Sequence, residues 1–303
     1  MDAHDPGTGG RSGRDQRQPS RARGAEALGD MSHPIASLED AEVRSLADLF
    51  DSAPADLVEQ CGAVVKMMGG SLLVATTRLD VLALNRVVGI GLGHRATRAE
   101  VASIVSGLDD IGSPRFLVQV APIEGSEEIE AWLIDLGLRH HNNWVRLSRE
   151  LSELPSDPSP SHLDVRLIGA EDAGVFGRIV AEAFGLPAPV ATLLECPIGR
   201  PGWRHYIAYE GTVPIGAAAM FLAGESAWFG FAGTAAERRG RGAQTALVLR
   251  RLHDAAAAGC RWISVETAEQ TQEREAPSFR NLRRLGFSVA YTRPNYLWTR
   301  RAT

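Results

Sequence analysis

Two stretches of this 303-residue chain return in its second half, in the same order and at nearly the same spacing. The first pair is SPRFLVQVAP and CRWISVETA, offset by 146 residues so that Arg115 stands over Arg261; the second pair is LIDLGLRHHNNWVRLSR and LRRLGFSVAYTRPNYLWTR, offset by 149. A helix that ends in Leu-Gly-apolar is common, because Gly supplies the left-handed residue that closes helices, so either match alone can arise by chance. Two similar offsets in one order favour an internal duplication, and hence a fold built from two copies of one unit.

A stretch rich in Pro and Ser separates the two copies. It runs over residues 148–162, and its three prolines break any helical or strand period. The opening 30 residues hold five Arg against five Asp and Glu and lack the apolar core of a signal peptide, so a disordered tail is favoured over a basic nucleic-acid-binding arm. The predicted organisation is a tail over 1–30, a first domain over 31–150, a linker over 151–162 and a second domain over 163–303.

Hydrophobic periodicity predicts a similar succession of elements on both sides of the linker. Helices are predicted over 37–52, 54–62, 97–112, 127–137, 171–185 and 276–286 and from Ala243 onward, and strands over 71–77, 84–93, 114–122, 163–168, 226–234 and 260–267. Residues 203–224 are predicted to form a hairpin that turns at Gly211, and the chain to end in a pair of strands. The stretch 185–203 is interpreted as a lid or wall over a cleft, and residues 140–143 as a polar turn.

Bulk composition excludes several classes of protein. A net charge of −5 gives no global field for DNA or RNA, and no apolar run approaches the roughly 18 residues that a membrane-spanning helix needs. Cys61, Cys196 and Cys260 are odd in number and far apart, which argues against a disulfide scaffold or a metal site. We therefore expect a cytoplasmic protein with reduced thiols and with no metal, nucleic-acid or membrane partner.

One loop is strongly basic, although the chain as a whole has a net negative charge. The stretch AAERRGRGAQTALVLRRL, residues 235–252, carries five arginines and two glycines where a strand turns into a helix. Glycines let successive backbone N–H groups converge on one point, and the helix start adds unsatisfied N–H groups and the positive end of its dipole. Such a nest accepts a diphosphate, and the arginines can reach further phosphate oxygens.

A solvated basic turn is the alternative for an isolated Gly-Arg cluster, but the strand-turn-helix setting favours the phosphate site. The matching stretch of the first half, GLGHRATRAEVASI, has neither the glycine spacing nor the arginines. Only the second half is therefore expected to bind a cofactor.

The loop and a later helix resemble the acetyl-CoA-dependent N-acetyltransferase superfamily known as GNAT. Its hallmark is Arg/Gln-x-x-Gly-x-Gly/Ala at the start of the central helix; here Arg239 and Gly242 match, and Gln244 replaces the last small residue. In SFRNLRRLGF, Asn281 matches the usual Asn of the helix along the pantetheine arm. The resemblance covers 163–303 and, as a degenerate copy, about 40–150. It implies acetyl-CoA as co-substrate, bound by Thr234, Arg238, Arg239, Gly240, Arg241, Gly242, Ala243, Gln244, Thr245 and Asn281.

The resemblance also implies a fold and a reaction. The fold is of the α/β (α+β) class, a mixed, mostly antiparallel twisted sheet flanked by helices, in two tandem domains. Strands 226–234 and 260–267 are expected to splay so that pantetheine lies between them, with a backbone N–H of the first polarising the thioester carbonyl. Gly230 and Gly233 suit a bulge or a close ligand on that strand, or only tight packing. Acyl transfer then proceeds by direct attack of an amine.

The general acid and base are less well defined, since many relatives carry a Tyr where this chain has Leu282. Tyr291 and Tyr296 are candidate acids and Glu266 is a candidate base, with packing or an exposed strand end as the alternative reading of each. The predicted function is a bacterial N-acyltransferase, monomeric or homodimeric, that acts on a small-molecule amine. A non-catalytic acyl-CoA-binding or regulatory protein is the alternative, and a tandem synthase that acylates a cysteinyl or amino-sugar metabolite is a third.

Overall fold

The computed structural model describes residues 35–154, 162–271 and 276–300. The predicted tail over 1–30 and most of the predicted linker lie outside the described residues. The helices are α1 Ile35–Asp51, α2 Ala55–Cys61, α3 Arg98–Ile111, α4 Ser126–Asp135, α5 Ala173–Phe184, α6 Ala188–Glu195, α7 Ala243–Ala257 and α8 Pro277–Arg284. The strands are β1 Ala63–Met68, β2 Ser71–Thr76, β3 Arg86–Val88, β4 Arg115–Gln119, β5 Arg139–Glu150, β6 Leu163–Leu167, β7 Trp203–Glu210, β8 Val213–Ala223, β9 Ser226–Thr234, β10 Trp262–Ala268 and β11 Ser288–Thr299.

Local sequence signals set the helix ends that matter for the fold. Thr97 and Glu100 form a reciprocal capping box at the start of α3, which satisfies N–H groups that the first turn leaves free. Gly185 closes α5 in the left-handed conformation that residues with a Cβ rarely adopt. These residues explain why α3 begins, and α5 ends, close to where the sequence predicts.

The eleven strands that the structure describes form one sheet, in the order β1-β2-β3-β4-β11-β5-β10-β9-β8-β7-β6. Two neighbouring pairs, β3 with β4 and β9 with β10, are parallel, and the other pairs are antiparallel. The predicted mixed, mostly antiparallel sheet flanked by helices is confirmed. Each half of the chain contributes one parallel pair, as a duplicated unit would.

The last strand of each half lies among the strands of the other half. β5 pairs with β10, and β11 pairs with β4, while β5 and β11 pair with each other at the centre of the sheet. Both strands have 12 residues, and they begin at Arg139 and Ser288, which is the 149-residue offset of the second sequence repeat. The sequence repeat therefore corresponds to two equivalent strands that are exchanged between the halves.

Several local predictions were wrong. Residues 140–143, predicted as a polar turn, lie in β5, whose first residues are polar because that end of the strand is exposed. The predicted final pair of strands is the single strand β11, which continues through Pro294 with a register shift between Asn295 and Tyr296. β1 was not predicted as a strand. The stretch 185–203 contains α6, and its interpretation as a lid or wall stays a prediction.

Helices cover both faces of the sheet. α1, α2, α5 and α6 pack on one face in a core shared by both halves. On the opposite face, α3 and α4 cover the first half, and α7 and α8 cover the second half. Neighbouring residues of β8 show the alternation, since Ala217 belongs to the first core and Ala218 to the α7 core. Among the helices that the structure describes, none is both long and apolar enough to cross a membrane.

Candidate active site

The loop before α7 leaves backbone donors open at the start of the helix. Gly240 and Gly242 have φ angles of +80° and +85°, which side chains with a Cβ rarely adopt, and a Cβ on either would meet no atom within 4 Å. Gly242 is the residue before α7, and no described side chain caps that helix end. The first N–H groups of α7 are therefore free to bind an anion.

A cavity of about 550 Å³ opens in front of this helix end. Eight of the ten predicted cofactor residues line it, namely Thr234, Arg239, Gly240, Gly242, Ala243, Gln244, Thr245 and Asn281. Among the described residues, its wall also includes two further arginines, Arg251 and Arg284, and no acidic side chain. The cavity therefore favours a ligand with several negative charges.

Asn281 provides a specific polar group in the cavity wall. Its side-chain oxygen accepts a hydrogen bond from the Thr245 hydroxyl at 3.1 Å, which joins α7 to α8 and fixes the orientation of the amide. The amide nitrogen of Asn281 is buried and has no hydrogen-bond partner among the described residues. A buried donor of this kind is costly to leave unpaired, so a ligand carbonyl is a fitting partner.

Arg238 and Arg241, the other two predicted cofactor residues, point elsewhere. Both pair with Glu210 at the end of β7, at 3.0 Å and 2.7 Å. These ion pairs tie the loop to the sheet. The role of the two arginines toward phosphate stays a prediction.

The predicted separation of two strands lies next to the cavity. β9 and β10 are paired from Ser226 and Trp262 as far as Phe229 and Val265; beyond that pair, residues 230–234 and 266–268, all of them described, are not paired with one another. The register of β9 against β8 also shifts in this region, and Phe231 has a φ of +46°. A β-bulge therefore coincides with the gap between the strands.

Both glycines of β9 are also required by packing. A Cβ on Gly230 would lie 1.9 Å from the Trp228 ring, and a Cβ on Gly233 would lie 2.6 Å from Ala183 of α5. The bulge and the close packing occur together. The two readings of these glycines left open by the sequence are thus compatible.

Solved structures share this architecture. A GCN5-related N-acetyltransferase from Kribbella flavida is similar at 15% identity and a TM-score of 0.57, over 88% of this chain and 96% of its own. A tandem GNAT protein from the clavulanic acid biosynthesis pathway gives 17% identity and 0.55, over 88% and 97%, and a GCN5-related N-acetyltransferase from Sphaerobacter thermophilus gives 18% and 0.54, over 88% and 93%. The chain has the tandem GNAT fold. No family model matches its sequence, and no curated protein matches it either.

On the other face of this GNAT fold, Glu266 lies in a buried cluster of three arginines and three glutamates between α1 and the central strands. Glu266 forms ion pairs with Arg293 of β11 and with Arg86 of β3, the latter at 3.4 Å. Its side chain is 15% exposed, whereas those of Glu39, Glu42, Arg146 and Arg293 are at most 1% exposed. Burial raises the pKa of Glu266, against the opposing effect of Arg293.

The two candidate tyrosines lie on opposite faces of the sheet. Tyr291 is buried on the α1 face, and its hydroxyl donates to Glu39 of the cluster. Tyr296 belongs to the core under α3 and α4, and its hydroxyl donates to Glu130 at 2.6 Å. Among the described residues that line the cavity, neither tyrosine is present. Their assignment as acids stays a prediction.

Arg251 and Arg284 are cavity residues that the sequence reasoning missed. Arg251 follows Leu247 by four residues on α7, and Arg284 follows Asn281 by three on α8, so each shares a helix face with a residue of the cavity wall. Extending the motif along each helix at this spacing would have found both.

Proposed function

We propose that the chain is an acyl-CoA-dependent N-acyltransferase that transfers an acyl group, acetyl in the simplest case, to the amine of a small-molecule acceptor. The observation that carries the proposal is the cavity: an open helix start, with Arg239 and Arg284 in the same cavity wall, stands at one side of a gap between two parallel strands. An acyl-coenzyme A is a thin, strongly anionic molecule with a thioester at its far end. Its chemistry fits a cationic cavity that leads to such a gap.

Different residues would hold different parts of coenzyme A. The N–H groups at the start of α7 would bind the diphosphate, and Arg239 and Arg284 would pair with phosphate oxygens. The free amide nitrogen of Asn281 would donate to a carbonyl of the pantetheine arm. Binding along the gap would place the thioester beside the bulge at Phe231.

The acceptor would approach from the α1 face. Glu266 follows Val265, the last residue of β10 that pairs with β9, and its carboxylate belongs to the α1 face rather than to the cavity. An amine at the gap would give its proton to Glu266 as it attacks the acyl carbon. Because the attack is direct, no covalent enzyme intermediate is needed, and the enzyme has to hold the two reactants together beside Glu266.

Release of free thiol is the measurement that tests this function. Purified protein with acetyl-CoA and a panel of small amines should release coenzyme A thiol at a rate proportional to protein concentration, with one amine saturating the rate. A non-catalytic acyl-CoA-binding protein is the second candidate, since Leu282 occupies the position of the usual acid. Saturable binding of acetyl-CoA without thiol release for any amine would favour that candidate.

Glu266→Gln is expected to lower the rate of transfer about 100-fold or more, because the base is lost while the size of the side chain is kept. The wild-type rate should fall as pH decreases through the pKa of Glu266, which burial places above the ordinary 4.5, since only the ionised carboxylate accepts a proton. The variant should lack this acidic limb. Glu269→Gln is the matched control, because Glu269 lies half-buried just beyond β10 and accepts a hydrogen bond from Asn143 rather than from the arginines of the cluster. An unchanged pH profile in Glu266→Gln would assign the base to another group.

A further inference from the structure

Arg251 is a buried cation in the wall of the cavity. It lies on α7 with 2% of its surface exposed. Its Nε donates to the carbonyl of Leu247 at 3.1 Å, and its Nη1 donates to the carbonyl of Ala219 at 2.9 Å. The guanidinium lies 4.2 Å from the centre of the Phe229 ring. These contacts fix the group in place while leaving its charge without a counter-ion.

No carboxylate within the described residues pairs with Arg251, in contrast to the buried Arg146 and Arg293, each of which meets several glutamates. Its second terminal nitrogen, Nη2, has no hydrogen bond to any described residue. Burial lowers the pKa of Arg251 to about 9, so the group is still charged at neutral pH. An unpaired buried charge is strongly unfavourable, and a bound anion would relieve that cost.

The position of Arg251 indicates which part of a ligand it meets. Arg251 lies eight residues after Ala243, about 12 Å along the helix from the diphosphate-binding end. It stands against Phe229, the last residue of β9 that pairs with β10 before the gap opens. The unpaired cation is therefore at the thioester end of the cavity rather than at its phosphate end.

We propose that Arg251 selects acyl-CoA molecules whose acyl chain ends in a carboxylate, so that the donor is the monothioester of a short dicarboxylic acid. This inference rests on the proposed function, because it assigns the far end of the same cavity. The free carboxylate would accept hydrogen bonds from the guanidinium and neutralise its charge. In transfer, the amine nitrogen bonds to the acyl carbon, the carbon–sulfur bond breaks with its electron pair on sulfur, the amine proton passes to Glu266, and the free carboxylate is carried unchanged into the product.

Binding measured by calorimetry on the full chain tests the proposal with three probes: free coenzyme A, butyryl-CoA and succinyl-CoA. Butyryl and succinyl chains have similar size and differ in the terminal carboxylate. Wild-type protein should bind succinyl-CoA at least ten-fold more tightly than butyryl-CoA. Arg251→Met should remove this preference and leave the affinity for free coenzyme A unchanged, and Arg251→Lys should retain part of it. Arg250→Met is the matched control, because Arg250 is the neighbouring residue on α7, is half-exposed and already pairs with Asp254.

The outcomes separate this inference from the proposed function. Binding of free coenzyme A with equal affinities for butyryl-CoA and succinyl-CoA would overturn the inference alone. An equal loss of affinity for all three probes in Arg251→Met would also overturn it, since Arg251 would then contact the part that they share. No binding of any probe would overturn the proposed function and the inference with it. The wild-type comparison decides the matter even if Arg251→Met does not fold.

Discussion

Gly242→Val is expected to weaken binding of coenzyme A at least 100-fold. The φ of +85° at this position is strained for any residue with a Cβ, and relief of that strain would turn the N–H groups of the loop away from the diphosphate. The added side chain would also project into open space in front of α7, where the ligand is expected. Calorimetry or quenching of protein fluorescence by coenzyme A would measure the loss. Arg239→Glu should act in the same direction by placing a negative charge in the cavity wall.

Gly259→Val controls for the backbone strain. Gly259 has a φ of +84°, with no atom within 4 Å of its hypothetical Cβ, and it follows the C-terminal end of α7 rather than its start. Both valine variants should lose about 1–3 kcal/mol of unfolding free energy. Only Gly242→Val should lose coenzyme A. Unchanged binding in Gly242→Val and Arg239→Glu would remove the basis for an acyl-CoA site in this loop.

The open helix start, where we propose that the diphosphate binds, could be predicted from the sequence because it depends on local conformation. Gly240, Gly242 and the start of α7 lie within four residues of one another. The residues that form the open helix start are therefore the same residues that make the motif recognisable in the sequence. Asn281 was found because it stands at a fixed place in a short motif. Arg251 could have been predicted in the same way, because residues four apart on a helix share a face and Arg251 follows Leu247 of the cavity wall by four residues.

The buried charge cluster could not be predicted in this way. Its members lie on α1, β3, β5, β10 and β11, and the ion pair of Glu39 with Arg293 joins residues 254 positions apart. Only the exchange of β5 and β11 between the halves brings these strands together at the centre of the sheet. The sequence repeat indicated that residues 133–149 and 282–300 are equivalent segments, but it held no signal for which half each would join. Glu266 was found as a strand-end carboxylate, whereas its three arginine partners were not.

Arg293→Ala is expected to destabilise the protein by about 3–5 kcal/mol, because removing one partner of a buried ion pair leaves uncompensated charge in the interior. Arg293 contacts Glu39 at 2.8 Å and Glu42 at 2.6 Å and also pairs with Glu266, so its removal leaves three glutamates against two arginines. Burial raises the pKa of Glu42, but its arginine neighbours outweigh burial and hold it well below the ordinary range. The carboxylate would therefore stay charged and poorly paired when one of them is removed. Denaturant unfolding followed by tryptophan fluorescence and circular dichroism would measure the change.

Arg166→Ala is the matched control, since Arg166 forms an ion pair with Asp164 on β6 that is exposed to solvent, where ion pairs contribute little to stability. The contrast between the two variants also tests how the halves are joined. Arg293 lies on β11, which belongs to the second half of the chain but pairs with β4 of the first half, and its glutamate partners on α1 also come from the first half. Arg293→Ala should therefore weaken both halves together and shift a single unfolding transition. A loss below about 1 kcal/mol would mean that apolar contacts alone hold α1 to the sheet, and that the cluster tolerates an unbalanced charge.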